Sequence, residues 1–297
     1  MCQAVIVSVQ AGNVNSGAFE SVPATADLLA GRNSWLHVDE AFGLWAAATP
    51  RLRPVVEGIE WADSWATDAH KWLNVPYDSG IVIVRRPADH QGLKTARCAY
   101  AGQASETQRD GSTWVPENSR RARAFALYAG LRALGRSGVQ LLVECSVALA
   151  QRFAAQAARL PFATIANQVV LNQVLVRFEP PGEYDRDILH AALASEFQRE
   201  GTCWIGAGRW RGHAVLRVSV STRSRGGEGL RRSSHARPQP TNGSMMRTPA
   251  FTKSARFRVA TARPWTRAVA AMRLSLMGMA FPVVRRRASS SAHFSPV

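Results

Sequence analysis

As far as Ser221, short runs of branched apolar residues alternate with amphipathic stretches, the sequence form of an α/β fold. Residues 4–9 (AVIVSV) predict a strand, and the Gly- and Asn-rich stretch AGNVNSGAF over 11–19 predicts a loop after it. Residues 35–39 predict a second strand that ends on a carboxylate. GIVIVR at 80–85 predicts a third, apolar enough to be buried on both faces. Residues 119–135 and 139–160 read as two Ala-rich helices dotted with arginine, with Gly135 and Gly138 marking the break. A strand at 173–179, a helix at 184–199 and a hairpin over 202–221, turning near Trp210 to His213, then make a small α+β unit. The pattern divides the chain near Leu160, into a larger α/β part (1–160) and a smaller one (161–221).

Beyond Ser221 the periodicity stops. Arg, Ser, Pro and Met dominate residues 222–297, which have little apolar surface to bury and are expected to be disordered. Charge changes at the same point. The net charge of +16 would suggest a nucleic-acid binder if spread evenly. Residues 1–221 carry 22 basic against 20 acidic side chains, a net +2, whereas 222–297 carry 15 against 1, a net +14. A basic tail of this kind attracts nucleic acid or an acidic surface non-specifically, and no specific nucleic-acid partner is expected.

The four cysteines are far apart and form no CxxC pair, the N-terminus has no secretory leader pattern, and the late apolar stretch near 274–284 is interrupted by Gly278 and Pro282. These features predict a cytoplasmic protein with no membrane partner.

Candidate chemistry gathers in HVDEAF (37–42) and ADSWATDAHKW (62–72). Lysine occurs only at 71, 94 and 253 in a chain that otherwise uses arginine for positive charge. Lys71 stands beside His70 in a Trp-rich segment, and an amine can lose its proton and form an imine where a guanidinium cannot. An ordinary half-exposed lysine explains the same spacing equally well. Asp39 closes a predicted buried strand, where ligand sites of open α/β sheets lie, and a carboxylate there needs a cationic or hydrogen-bonding partner. Helix capping would satisfy it too.

Taken together, WLHVDEAFG and WADSWATDAHKWLNVPYDSGIVIVR resemble the group II pyridoxal-dependent amino-acid decarboxylases, the family of aromatic-amino-acid and glutamate decarboxylases. AGNVNSGAF, PENSRRARAF at 116–125, LNQVLVRF at 171–178 and EGTCWIGAGRWRGHAVLRVSVS at 200–221 extend the resemblance, in order, from about Ile6 to Ser221. It implies the type I PLP-dependent transferase fold (aspartate aminotransferase-like), with a partial large domain and a small C-terminal domain. It also implies pyridoxal 5'-phosphate as cofactor, an L-amino acid as substrate, a carboxy-lyase activity and a homodimer.

By the same resemblance Lys71 holds the cofactor as a Schiff base and Asp39 keeps its pyridine nitrogen protonated. Ala41 packs against one ring face, and His70 lies near the cofactor with Asp68 on its phosphate side. His37 and Asn15 line the same region, although each also suits local backbone hydrogen bonding.

The chain departs from the family in three places. The match begins inside the large domain, which implies an N-terminally truncated and weakly binding or inactive remnant as the alternative to an active decarboxylase. The loop 101–115, where relatives often carry a catalytic tyrosine, has none, and Tyr100 stands at its edge. The abrupt change after Ser221 is what a shifted reading frame would produce. A transaminase shares the lysine chemistry and is the remaining alternative.

Overall fold

The structure is a computed structural model and describes residues 4–92, 114, 115, 117, 120–183, 185–200 and 203–221. The chain up to Ser221 forms one compact unit. The expectations for the tail 222–297 and for residues 101–113 lie outside the described residues.

Four strands form the first sheet in the order β1 (Val5–Gln10), β2 (Ser34–Asp39), β3 (Ser64–Asp68) and β4 (Gly80–Val84). The first three run parallel and β4 is antiparallel to β3. Parallel pairing requires a crossover, and helix α1 (Val22–Leu29) supplies it between β1 and β2. Its start is fixed locally: the Ser21 hydroxyl accepts the Ala24 N–H at 3.2 Å, and Pro23 sits in the first turn, where a missing N–H costs nothing. Val22 joins Val9, Ala11, Leu36, Val38 and Ala62 in a cluster on one face of the sheet.

The opposite face is more open. Ile6 pairs with Trp35 and Val82 with Ala66, and these two apolar side chains are 78% and 62% exposed. This corrects the expectation that 80–85 is buried on both faces. β4 is the outer strand of its sheet, and an apolar run records the residues of a strand without recording what covers them.

Between β2 and β3 the chain makes three short 3-10 turns, Gly43–Ala48, Arg53–Val56 and Ile59–Trp61. After β4 come a short helix α2 (Pro87–Gly92) and the long α3 (Arg123–Ala157). The expected break in α3 falls at Gly135, whose φ of 61° and ψ of 178° are not helical. α3 is also the one described helix long and apolar enough to cross a membrane. Its second half is nevertheless core: Val143, Val147, Ala150 and Phe153 are buried. Val143 and Val147 pack with Phe42, Ala46, Leu52, Val56 and Trp72, and with Leu171 ahead of the second sheet.

That second sheet is antiparallel, in the order β5 (Ala163–Ile165), β6 (Gln173–Phe178), β8 (His213–Ser219) and β7 (Gly206–Trp210). Helix α4 (Arg186–Glu200) turns Leu189, Leu193 and Phe197 inward at a spacing of four. Among them lies buried His190, whose Nε2 accepts the Phe178 N–H at 3.1 Å while Nδ1 donates to the Arg186 carbonyl at 2.7 Å. Both ring nitrogens are used by the neutral form, and burial lowers the readiness of this histidine to take a second proton.

Candidate active site

The carboxyl ends of β2 and β3 lie side by side; two backbone contacts lock them together and a third ties β2 to the end of β1. Glu40 N–H donates to the Ala66 carbonyl at 2.9 Å, Asp68 N–H to the Ala41 carbonyl at 3.0 Å, and Ala11 N–H to the Asp39 carbonyl at 2.9 Å. Asp39 pairs with Gln10 and Ala66, and Asp68 lies two residues beyond Ala66, so both carboxylates belong to the open face of the sheet. This is the strand-end position at which open α/β sheets bind ligands.

Lys71 occupies the turn that follows β3. Its Nζ lies 2.9 Å from Asp68 Oδ2 and 5.9 Å from the centroid of the Phe42 ring, and its side chain is 39% exposed. Ala69 and Trp72 on either side are buried and anchor the turn, so the lysine stands on a fixed base. His70 is held from beneath, with Nδ1 accepting the Ser79 N–H at 3.1 Å. Nδ1 also lies 3.2 Å from the Ser79 carbonyl oxygen, and Nε2 is 3.7 Å from the same Asp68 oxygen. The exposed Tyr77 ring covers the imidazole, with centroids 4.1 Å apart. Asp68 therefore links Lys71 and His70 through one oxygen.

Asp39 Oδ1 accepts the Ala41 N–H at 3.2 Å, which fixes the carboxylate and the small residue next to it as one unit. His37 is on the same face but is spoken for: its Nδ1 meets Ser64 Oγ at 2.8 Å, and that oxygen also accepts the Trp35 indole N–H at 2.8 Å. Asn15 sits in the loop after β1, which is organised by Asn13 instead. The Asn13 Oδ1 accepts the backbone N–H groups of Asn15 and Ser16 at 3.0 and 3.1 Å. The structure thus brings Lys71, Asp68 and His70 into direct contact and sets Asp39 and Ala41 on the adjoining strand end. His37 and Asn15 lie at the margin.

Sequence reading missed two participants. Ser64 holds the His37 ring in place through its hydroxyl, and a lone serine in a strand gives no signal. Glu40, between Asp39 and Ala41, has no exposed surface, and neither of its carboxyl oxygens has a hydrogen-bond partner. Loss of hydration, reinforced by the neighbouring Asp39 charge, pushes its pKa from 4.5 to about 8.

The architecture is that of the type I PLP-dependent transferase fold. The structure superposes on Oryza sativa TDC solved with PLP and tryptamine with a TM-score of 0.69 at 24% identity, over 77% of this chain and 49% of that one. On Catharanthus roseus tryptophan decarboxylase in complex with L-tryptophan the TM-score is 0.65 at 22% identity, over 76% and 47%.

Residues 3–179 match the pyridoxal-dependent decarboxylase conserved domain, and the chain belongs to that family. Its curated relatives include the aromatic-L-amino-acid decarboxylase of Sus scrofa, 27% identical over 215 residues, which are 71% of this chain and 43% of the relative. The L-2,4-diaminobutyrate decarboxylase of Rhizobium meliloti (strain 1021) is 32% identical over 178 residues, 59% of this chain and 35% of the relative. The chain therefore spans less than half the length of these relatives.

Proposed function

We propose that this chain carries the lysine-bearing part of a PLP-dependent carboxy-lyase that decarboxylates an L-amino acid, and that it works as a homodimer in the cytoplasm. In this reading residues 1–160 are a partial cofactor domain and 161–221 a small domain. The observation that carries it is the pairing of Lys71 with Asp68 at the end of β3, latched to Asp39 and Ala41 at the end of β2 through the Asp68 amide and the Ala41 carbonyl.

The donor set suits pyridoxal 5'-phosphate. Lys71 supplies the amine that holds it, Asp39 a carboxylate for a protonated ring nitrogen, and Ala41 a small surface on which a flat ring rests. His70 lies alongside, with His37 and Asn15 at the edge. When bound, the cofactor supplies a sink for the electron pair left as carbon dioxide departs.

The remaining tasks belong to the protein. Asp39, fixed by the Ala41 N–H, holds a proton at the nitrogen it faces. Asp68 holds the Lys71 ammonium before the cofactor is attached, a role that suits a carboxylate better than contact with a phosphate. His70, oriented by Ser79, sets its Nε2 toward Asp68, the carboxylate that also holds the lysine.

A second reading is that this polypeptide binds the cofactor weakly and does not turn over. Visible absorbance on titration with PLP separates the two. A band present in the wild type and absent in Lys71→Ala, together with carbon dioxide release from an amino acid, supports the enzyme. A lysine-dependent band without release supports the remnant. Absence of the band from folded wild type overturns the cofactor assignment itself.

A further inference from the structure

The second sheet has a cavity of about 310 Å³ that the chemistry above does not use. Its lining includes Thr164, Arg177, Trp210, Arg211, His213 and Val215, and no lining side chain is acidic. The strand register explains the grouping. Thr164 pairs with Arg177, Trp210 with His213, and Val215 lies two residues along from His213, so the five share one face. The core residues Val174, Val176, Leu216 and Val218 occupy the other.

Two cationic groups meet the cavity differently. One end of the Arg177 guanidinium is tied to Glu179, 2.7 Å away, while its Nε is buried with no acceptor. A buried donor left unpaired is destabilising, and a ligand oxygen removes that penalty. Arg211 makes no ion pair among the described residues, and its guanidinium lies over the Trp210 ring at 5.7 Å. It also occupies the first position of a two-residue hairpin loop, with φ of 49° followed by 81° at Gly212, where Asn or Gly is the ordinary choice.

We propose that this cavity binds a small aromatic carboxylate. Trp210 and Val215 provide apolar contact for a ring, and Arg211 provides the positive charge. The unpaired Nε–H of Arg177 offers a donor to one carboxylate oxygen, and because Glu179 already offsets the Arg177 charge, Arg211 is the cation that the ligand's negative charge meets. The cavity lies near the lower bound of about 300 Å³ for ligand pockets, which limits the occupant to about ten non-hydrogen atoms. With no acid in the lining, an amine is disfavoured, and that separates this ligand from the amine product of a decarboxylase.

The test is calorimetric titration of the full chain with phenylacetate, with 2-phenylethanol and acetate as the neutral and ring-less comparisons. The proposal requires one site per chain, at least about tenfold weaker binding of both comparison compounds, and full retention of phenylacetate binding in Lys71→Ala. Arg211→Gln alters an exposed turn and leaves the core intact, so it must fold, and it must weaken phenylacetate at least about tenfold. Trp210→Leu is the second variant and must do the same. No saturable binding, binding lost in Lys71→Ala, or binding unchanged in Arg211→Gln each overturns the proposal.

Discussion

Glu40 makes the protein's stability depend on pH in an unusual sense. The folded state holds the Glu40 proton up to about pH 8, whereas the unfolded chain releases it near 4.5. Between those values the folded state binds more protons than the unfolded state, so stability is present below 4.5 and falls as pH rises toward 8. Each pH step of one between the two values corresponds to about 1.36 kcal/mol, and the interval gives about 5 kcal/mol as a ceiling. Water entry and local relaxation relieve part of it. Even half is large against a typical folding stability of about 5–15 kcal/mol.

Glu40→Gln keeps the shape and the unpaired polar end but cannot ionise. Urea denaturation of wild type and Glu40→Gln at several pH values from 4 to 9 isolates the effect as a difference, which cancels the titrating groups that do not interact with Glu40. At the acid end the two proteins should agree within about 1 kcal/mol. The variant should then gain steadily and lead by several kcal/mol at the alkaline end. Parallel curves across the range would refute the reasoning and show that Glu40 has a partner in solution.

His190 acts in the opposite direction. Its folded-state value is lowered from 6.5 by burial, so stability is lost as pH falls below 6.5, and His190→Gln should remove that part of the acid limb in the same denaturation series. Gly43→Ala puts a Cβ 1.8 Å from the Ala11 carbonyl oxygen, which forces the loop after β1 away from Asp39. The expected loss is about 2 kcal/mol or more by urea denaturation, with weaker PLP binding, and a neutral result would mean that the loop moves freely. Asp39→Asn removes the charge but keeps the contact with Ala41. It should lower PLP affinity more than it lowers thermal stability, and equal losses would make Asp39 a structural residue only.

Much of this architecture is legible in the order of residues alone. The alternation in 4–9 and 35–39, the apolar run at 173–179 and the turn near Trp210 to His213 all correspond to observed elements. So does the helix break, because a glycine can take up a conformation that the leucine or arginine on either side would resist. β3 is harder to see. Its sequence, SWATD, contains no Val or Ile, and it is a strand because β2 and β4 flank it. β4 shows the converse, a convincing apolar run whose outer position no local pattern reveals. The site was legible to the extent that it is chemical. A rare lysine beside a histidine, and an aspartate closing a strand, can be recognised by residue type, whereas the contact between Asp68 and Ala41 that aligns them depends on how two strand ends meet.

Glu40 follows from the same alternation that creates the site. In β2 the odd positions His37 and Asp39 lie on the open face, so the even positions Leu36 and Val38 must enter the core, where both are almost completely buried. The Glu40 amide continues the ladder by bonding to Ala66, which carries the strand's period one residue past its nominal end. The side chain at 40 is therefore directed inward by the register that directs Asp39 outward. Two adjacent acids in HVDEAF thus receive opposite environments, one a candidate ligand and the other an acid whose burial favours its protonated form. Asp39 cannot be presented at this strand end without burying whatever follows it, and in this chain that residue is a glutamate.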